Sequence, residues 1–360
     1  MSFTRTRPGE RQWLDPAARE LLAARLESAV RRARVAGEAL AAVTVASSAV
    51  DPVALVVASR RAGEPWFSFE QPDRDGAALA GLGCAREIEV PRGPASAGHG
   101  AGSGTPSGSS RFDTVAREWR QLAAGAFADP PDGPAGAGLV AVGGFAFAPD
   151  GTGAPQWEGF ASASLHVPEV AVARRGGDVR LTVAALATPD DTADGLLARI
   201  EERLGELRAG VPLPLLDPAP TGRYRVVSAM PPEHYEGAVA RAVERIRAGA
   251  LEKVVLAREV QVHAPRAHDP GAVLGALREG FPACYVYAIG RGDATFLGAT
   301  PELLVRRDGE LCVALRCALL RGTIAHCYAG VGVVRDSSPA AELAETEVKL
   351  QALLPVLTGE

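Results

Sequence analysis

Three side chains in the last third of the chain have the types that acid–base chemistry on an anionic substrate requires. Lys253 begins an apolar run, and a desolvated lysine in its neutral form can act as a base. Glu302 follows a Thr-Pro pair and could act as an acid. Arg316 lies in the otherwise apolar run 313–320, which predicts a strand whose guanidinium needs an anionic partner. Taken singly, Lys253 is better explained as a solvent-facing lysine at a strand end, and Glu302 as a turn carboxylate.

A pair of glycines follows in the same region. Tyr328 precedes Gly330 and Gly332, which are separated by one residue. Such a pair lets backbone N–H groups approach an anion closely, although glycines that serve only packing give the same pattern.

The last predicted helix, which begins at Ser338, carries two acidic side chains and one basic side chain on one face. Glu342, Glu345 and Lys349 are spaced i, i+3 and i+7. Two carboxylates on one face can hold a hard cation such as Mg²⁺, and the alternative is a solvated face without a ligand.

Hydrophobic periodicity and turn residues predict an α+β protein that positions these residues. Helices are predicted over 15–36, 112–126, 191–208, 231–249 and 270–279, and again after 338. Strands are predicted over 41–46, 53–58, 65–69, 138–147, 165–172, 179–185, 253–262, 283–289, 295–297 and 326–334. The Asp308-Gly309 pair predicts a hairpin between 303–306 and 311–315.

Composition predicts two regions, 1–222 and 223–360, joined by a proline-stiffened connector at 212–220. Residues 92–110 are rich in Gly and Ser and predict a loop in the first region. The chain has 360 residues, enough to bury a large core.

Charge and cysteine content exclude several classes of function. The net charge of −5 gives no electrostatic reason to expect nucleic acid as a partner. The 5 cysteines are odd in number and form no C-x-x-C pair, which favours a reducing compartment. The first residues lack the apolar segment of a signal peptide, and no apolar run is long enough to span a membrane. We therefore expect a cytoplasmic protein, and a monomer. The histidines have no metal-binding spacing, and no P-loop or G-x-S-x-G motif is present.

The order of several short motifs resembles the chorismate-binding enzymes, and the isochorismate synthases most closely. The motifs are GGFAF at 143–147, MPPEHY at 230–235, EKVVLAR at 252–258, FLGATPE at 296–302, LRCA at 315–318, YAGVG at 328–332 and ELAETEVK at 342–349. The resemblance is tight after residue 223 and loose before it. It implies the chorismate-binding fold, in which antiparallel sheets are flanked by helices.

The resemblance also implies a reaction and a role for each matched residue. Family members that add ammonia carry Gln where this chain has Lys253, whereas those that add water carry Lys. Lys253 would activate water at one carbon of chorismate, and Glu302 would protonate the departing hydroxyl. Glu345 and Glu342 would hold Mg²⁺. The residues that would bind the substrate are Arg316, Tyr328, Gly330, Gly332 and Lys349.

One feature departs from the family pattern. Family members carry a long segment, with a further Mg²⁺-ligand glutamate, where this chain passes directly from Glu310 to Leu311. The fold is therefore expected to be incomplete there, with apolar surface uncovered and the metal site short of one ligand. Three functions remain open at this stage: isochorismate synthase, a non-catalytic chorismate-binding protein, and salicylate synthase.

Overall fold

The computed structural model of the chain describes residues 12–90, 110–146, 153–217, 220–306 and 310–359. It separates into two compact units. The first comprises Met1–Ser68 and Asp75–Pro212, and the second comprises Phe69–Arg74 and Leu213–Glu360. Most of the predicted Gly/Ser-rich loop and the Asp308-Gly309 turn lie outside the described residues.

The part of the chain before Pro212 contains four of the described helices and eight of the described strands. The helices are α1 (Pro16–Ala36), α2 (Pro52–Ser59), α3 (Arg111–Ala124) and α4 (Ala193–Gly205). The strands are β1 (Ala39–Ala46), β2 (Gly63–Gln71), β3 (Ala77–Leu82), β4 (Arg86–Glu89), β5 (Val142–Phe145), β6 (Ala163–Val167), β7 (Val170–Arg175) and β8 (Asp178–Ala187).

In the first unit the strands follow the order β1-β8-β7-β3-β2, and β4-β6-β5 form a separate sheet. One core lies between α1, α4 and the strands β1, β7 and β8, and Leu22, Leu26 and Leu181 are fully buried in it. The apolar side chains of this core come from helices and strands whose hydrophobic periodicity predicts that one face of each element is buried.

The strand predicted over 53–58 is wrong, because this segment is the helix α2. Asp51 caps it, since one carboxylate oxygen accepts from the N–H groups of Val53 and Ala54, each at 3.0 Å. Pro52 occupies the first turn, where its missing N–H is not needed. A short apolar run cannot by itself distinguish a buried helix from a strand. The Asp-Pro pair was the informative signal, as it is at Asp15 before α1.

The strand predicted over 165–172 is also divided in the structure. β6 ends at Val167 and β7 begins at Val170, with Pro168 between them. A proline cannot donate to a strand ladder, so the chain turns at this point.

The part of the chain after Pro212 contains the remaining described elements. The strands are β9 (Arg225–Ser228), β10 (Val254–His263), β11 (Tyr285–Gly292), β12 (Ala294–Thr300), β13 (Leu303–Arg306), β14 (Glu310–Cys312), β15 (Cys317–Arg321) and β16 (Ile324–Val333). The helices are α5 (Pro232–Arg247), α6 (Pro270–Gly280), α7 (Pro339–Leu350) and α8 (Leu354–Thr358). No helix among the described residues is long and apolar enough to cross a membrane.

The strands of the second unit follow the order β11-β12-β15-β16-β10-β9, and each strand is antiparallel to its neighbours in this order. β13 and β14 form a separate hairpin. On one face of the larger sheet, Val331 and Val333 pack with α5 and with Leu343 of α7. On the opposite face Val255 is 68% exposed. Because side chains alternate along a strand, β10 has a helix-covered face and an open face.

Candidate active site

Lys253 lies one residue before β10, and its exposed side chain passes over Gly332 of β16. A methyl group built on Gly332 would come within 2.7 Å of the lysine Cε and 3.2 Å of its Nζ. The strand ladder explains this contact, because Val255 is directly opposite Gly332. The absence of a side chain at 332 therefore leaves the space that the lysine occupies.

Lys349 of α7 lies next to the same pair of strands. Its Nζ donates to the carbonyl oxygen of Gly330 at 2.8 Å and pairs with the carboxylate of Glu345 at 2.8 Å. Lys349 therefore reaches Gly330 from the helix-covered side of the sheet, whereas Lys253 passes over Gly332 on the open face. The roles of Gly330, Gly332, Lys349 and Glu345 in binding a substrate or a metal remain predictions.

Glu342 and Glu345 present two carboxylates on one side of α7. Their charges also reach Tyr235 of α5, whose hydroxyl donates to the carbonyl oxygen of Leu256 at 3.2 Å. Burial raises the pKa of Tyr235 to about 12, and the charges of Glu342 and Glu345 act in the same direction, whereas that of Arg258 opposes them. Tyr235 therefore remains a neutral hydrogen-bond donor throughout the physiological range.

The donor set on α7 fits a Mg²⁺ ion that is shared with a ligand. Mg²⁺ usually binds one or two protein carboxylates and takes its other ligands from water and from an anionic substrate. Glu342 and Glu345 supply two hard oxygen donors. Among the described residues, no group of three His, Cys, Asp or Glu side chains could hold a metal ion. A metal here would thus depend on the ligand for part of its coordination.

Glu302 lies just after β12, and its side chain is exposed. The backbone around it is well fixed. Its N–H donates to the hydroxyl of Thr300 at 3.2 Å, and its carbonyl oxygen accepts from the N–H of Val313 at 3.2 Å. The Thr300 hydroxyl in turn donates to the carbonyl oxygen of Val313 at 2.7 Å. The fully buried Thr300 thus anchors the exposed glutamate at the end of the strand.

Arg316 does not lie within a strand, contrary to the prediction for 313–320. β15 begins only at Cys317, and Arg316 has a φ of +46°, which is rare for a residue with a side chain. Its guanidinium lies 3.9 Å from the sulfur of Cys284 and 5.9 Å from the ring centre of Phe281. The structure therefore places the guanidinium of Arg316 against Cys284 and Phe281, in the segment between α6 and β11, and not against Lys253 or Glu302. The left-handed turn is what directs it there.

Tyr328 stands in the middle of one row across the sheet. It is opposite Glu259 of β10 on one side and Cys317 of β15 on the other, and Cys317 is opposite Gly298 of β12. Alternation along these strands puts all four residues on one face. This is the face of β10 that also carries Lys253.

Lys253 and Glu302 lie toward the same end of the sheet from this row. Lys253 is six residues before Glu259, and Glu302 is four residues beyond Gly298. Since β15 and β16 separate β12 from β10, three strand spacings of roughly 4.8 Å, about 14 Å in total, lie between the two strands. Two long side chains with a small ring between them can span that separation.

Apolar side chains at this end of the sheet are exposed. Val255 is 68% exposed and Leu304 is 66% exposed, and Leu315 is also open to solvent. The sequence led us to expect uncovered apolar surface beside the junction of Glu310 and Leu311.

Arg258 lies close to the candidate site, and no role was predicted for it from the sequence. Its guanidinium bonds to Thr346 of α7 at 3.3 Å and lies 3.5 Å from a carboxylate oxygen of Glu347. One signal was available in the sequence. Arg258 alternates with Val254 and Leu256 on a face that is otherwise apolar, where an arginine needs polar partners.

The comparisons with known proteins agree with the motifs. The profile of the family described as "Chorismate binding enzyme" matches residues 25–310 and 305–358. The two matched stretches overlap around Glu310, the position at which the chain lacks the segment that the resemblance predicts.

Relatives with assigned names extend this finding. The chain is 33% identical over 276 residues to the salicylate biosynthesis isochorismate synthase of Pseudomonas aeruginosa, covering 76% of this chain and 52% of that protein. It is 28% identical over 172 residues to the isochorismate synthase MenF of Bacillus subtilis, covering 48% of this chain and 36% of that protein. It is 34% identical over 170 residues to anthranilate synthase component 1 of Haloferax volcanii, covering 46% of this chain and 30% of that protein. The chain thus spans about half or less of the length of these relatives.

Solved structures show the same fold at low identity. The menaquinone-specific isochorismate synthase MenF from Escherichia coli superposes with a TM-score of 0.65 at 17% identity, covering 94% of this chain and 100% of that chain. DhbC from Bacillus anthracis, titled a 2,3-dihydroxybenzoate-specific isochorismate synthase, gives a TM-score of 0.54 at 14% identity, covering 85% of this chain and 100% of that chain. The α+β chorismate-binding fold predicted from the sequence is confirmed, and the chain belongs to the family of chorismate-binding enzymes.

Proposed function

We propose that the protein is an isochorismate synthase, which converts chorismate to isochorismate by adding water at one ring carbon and releasing a hydroxyl from another. The observation that carries the proposal is the position of Lys253. It lies beside Gly332 at the end of the sheet that also carries Glu302, on the face of β10 that is open to a ligand. The names of the relatives from Pseudomonas aeruginosa and Bacillus subtilis support the same reaction.

Lysine at this position supports water as the nucleophile. Water is a weak nucleophile until a base removes a proton, and a lysine in its neutral form can be that base. In the proposed reaction the Lys253 amine takes a proton from water as the new C–O bond forms. Glu302 donates a proton to the leaving hydroxyl, which departs as water. The two transfers balance, since one water enters and one leaves.

The remaining residues of the site would bind and orient the substrate. The N–H groups around Gly330 and Gly332 and the ammonium of Lys349 are suited to a carboxylate. Glu342 and Glu345 would hold Mg²⁺, which when bound offsets the charge of the ring carboxylate. Arg316 would join them only after its guanidinium leaves Cys284 and Phe281.

An isotope experiment tests the reaction type. The chain is incubated with chorismate and Mg²⁺ in water enriched in ¹⁸O, and the products are separated by chromatography and weighed by mass spectrometry. We expect isochorismate that carries one ¹⁸O atom. Isochorismate without the label would refute water addition, and anthranilate formed with ammonium present would assign the chain to the ammonia-adding branch. Salicylate as the product would add pyruvate elimination to the reaction.

A non-catalytic chorismate-binding protein is the second candidate. It is favoured by the direct passage from Glu310 to Leu311 and by the absence, among the described residues, of a third metal-binding side chain near Glu342 and Glu345. It predicts that chorismate binds with Mg²⁺ but is recovered unchanged. The same chromatogram distinguishes the two candidates.

A further inference from the structure

Arg258 connects three elements of the second unit. Its Nη1 donates to the hydroxyl of Thr346 on α7 at 3.3 Å, and its Nε donates to the hydroxyl of Ser228 at the end of β9 at 3.4 Å. The carboxylate of Glu347 lies 3.5 Å from the same Nη1. Only 9% of the arginine side chain is exposed. A buried guanidinium with partners on β9 and α7 ties both elements to β10.

The partner on α7 is itself held in place. Thr346 is fully buried, and its hydroxyl donates to the carbonyl oxygen of Leu343 at 2.6 Å. Its oxygen therefore has a fixed direction in which to accept from Arg258. This contact fixes the rotation of α7 about its own axis.

Thr346 occupies a position next to the charged residues of α7. Glu345 precedes it directly, and Glu342 lies one helical turn before it. Lys349 follows three residues later. A rotation or a shift of α7 along its axis would displace all three charged side chains together.

The apolar contacts of α7 cannot supply the same precision. Leu343 packs with Val331 and Val333, and such contacts are favourable over a range of rotations because the hydrophobic effect has no direction. A guanidinium fork, in contrast, requires its acceptors at defined angles. Two directional contacts therefore hold α7 on the sheet: the bond from Arg258 to Thr346 in the buried part of the contact, and the bond from Lys349 to the carbonyl oxygen of Gly330.

We propose that Arg258 is a positioning residue: it fixes α7 against β10 and thereby sets where Glu342, Glu345 and Lys349 stand relative to Lys253. Its assignment to catalysis rests on the proposed function, whereas its effect on α7 does not. Arg258 touches neither the substrate nor the metal in this account.

The first test is hydrogen–deuterium exchange of the full chain with Arg258→Lys. Lysine keeps the charge but cannot bond to Ser228 and Thr346 at once. We expect amide exchange in Pro339–Leu350 to rise about tenfold, with no change in α6. The matched control is Arg278→Lys, which removes a comparable contact with Glu70 at 2.9 Å in the same unit but does not touch α7. It should leave the exchange of α7 unchanged.

The second test is titration of Mg²⁺ by calorimetry. Loss of a residue that orients metal ligands typically weakens metal affinity by about 10-fold or more, so Arg258→Lys and Thr346→Val should each weaken Mg²⁺ by about this factor. The double variant should bind Mg²⁺ no more weakly than Arg258→Lys alone, because Thr346→Val removes only the bond with residue 258, which Arg258→Lys already disrupts. Additive losses would contradict the shared contact.

The outcomes separate this inference from the proposed function. The positioning role is overturned if the exchange of α7 is unchanged in both Arg258→Lys and Thr346→Val. It is also overturned if Arg278→Lys raises the exchange of α7 as much as Arg258→Lys does. Both conclusions hold even when the wild-type chain is active. Raised α7 exchange in a chain that forms no isochorismate and binds no Mg²⁺ supports the positioning role and refutes the proposed function. If Arg258→Lys does not fold, Thr346→Val decides, since it leaves the arginine in place.

Discussion

Gly332→Ala is predicted to displace Lys253, the proposed base, without unfolding the protein. The added methyl group would lie 2.7 Å from the Lys253 Cε, and ordinary contact begins at 3.4 Å, so the lysine must move by about 0.7 Å. The atom displaced is near the end of a flexible side chain, so relief of the clash costs little stability. The backbone at 332 has no positive φ, and alanine is therefore tolerated there.

The effect on turnover follows from this displacement. A misplacement of 1 Å in a catalytic arrangement can lower a rate by about 100-fold. A shift of about 0.7 Å therefore predicts a fall in kcat of roughly 10-fold to 100-fold, which corresponds to about 1.4–2.7 kcal/mol. The assay is isochorismate formation at saturating chorismate and Mg²⁺, with urea unfolding measured in parallel. We expect the free energy of unfolding to change by less than about 1 kcal/mol.

A matched control is available on α6. A methyl group on Gly280 would meet nothing within 4 Å, so Gly280→Ala should leave kcat unchanged and, by reducing the freedom of the unfolded chain, should raise stability slightly. A wild-type kcat for Gly332→Ala, or an equal loss in Gly280→Ala, would refute the contact with Lys253 as the cause.

Three further predictions concern stability, metal binding and pH. Arg203→Ala should lower the free energy of unfolding by about 3–5 kcal/mol in urea titrations. The reason is that Arg203 binds the Glu64 carboxylate at 2.7 Å, and this carboxylate, only 9% exposed, would be left buried without its cation. A loss below about 1 kcal/mol would contradict this prediction. Lys349→Gln should strengthen Mg²⁺ binding without chorismate about two-fold to five-fold, since the ammonium that pairs with Glu345 at 2.8 Å competes with the metal; unchanged or weaker binding in calorimetry would argue against Glu345 as a ligand. Burial raises the pKa of the Cys317 thiol to about 12, so the unfolded chain loses this proton at lower pH than the folded chain. The free energy of unfolding should therefore fall as pH rises from about 9 toward 12. In Cys317→Ala the urea midpoint should fall less steeply with pH, and curves of midpoint against pH that run parallel in the two proteins would exclude this thiol as the cause.

Much of the second unit could be predicted because local signals and periodicity agree there. The apolar spacing of Tyr235, Val239 and Val243 predicts α5, and the alternation from Lys253 predicts β10. Both elements appear within two residues of the predicted ends. The helical spacing also placed Glu345 and Lys349 on one face of α7, where they form an ion pair of 2.8 Å. The contact of Lys253 with Gly332 was not predicted.

The wrong secondary-structure predictions arise where one local hydrophobic pattern is compatible with two different backbone structures. The run at 53–58 is apolar at every position, so its capping residue Asp51 decided between helix and strand. The apolar pattern continues on both sides of Arg316. Only the left-handed backbone conformation of Arg316 shows that the strand begins after it, at Cys317, and not within 313–316. Backbone conformation at a single residue with a side chain cannot be derived from hydrophobic spacing.

The contacts of Arg258 illustrate a different limit. The sequence shows an arginine on an apolar face, which indicates a polar partner somewhere. Its partner Thr346 is 88 residues away, and nothing local identifies it. Long-range pairs of this kind are set by how helices pack on the sheet, and they become visible only in the folded structure.

The most direct test of the account is turnover of chorismate by the wild-type chain and by Lys253→Ala. Both are incubated with chorismate and Mg²⁺, with and without EDTA, and chorismate binding is measured by calorimetry. The account predicts isochorismate from the wild type that disappears with EDTA, no product from Lys253→Ala, and similar chorismate affinity for both proteins. A soluble, cooperatively unfolding wild-type chain that binds chorismate but returns it unchanged would contradict the account.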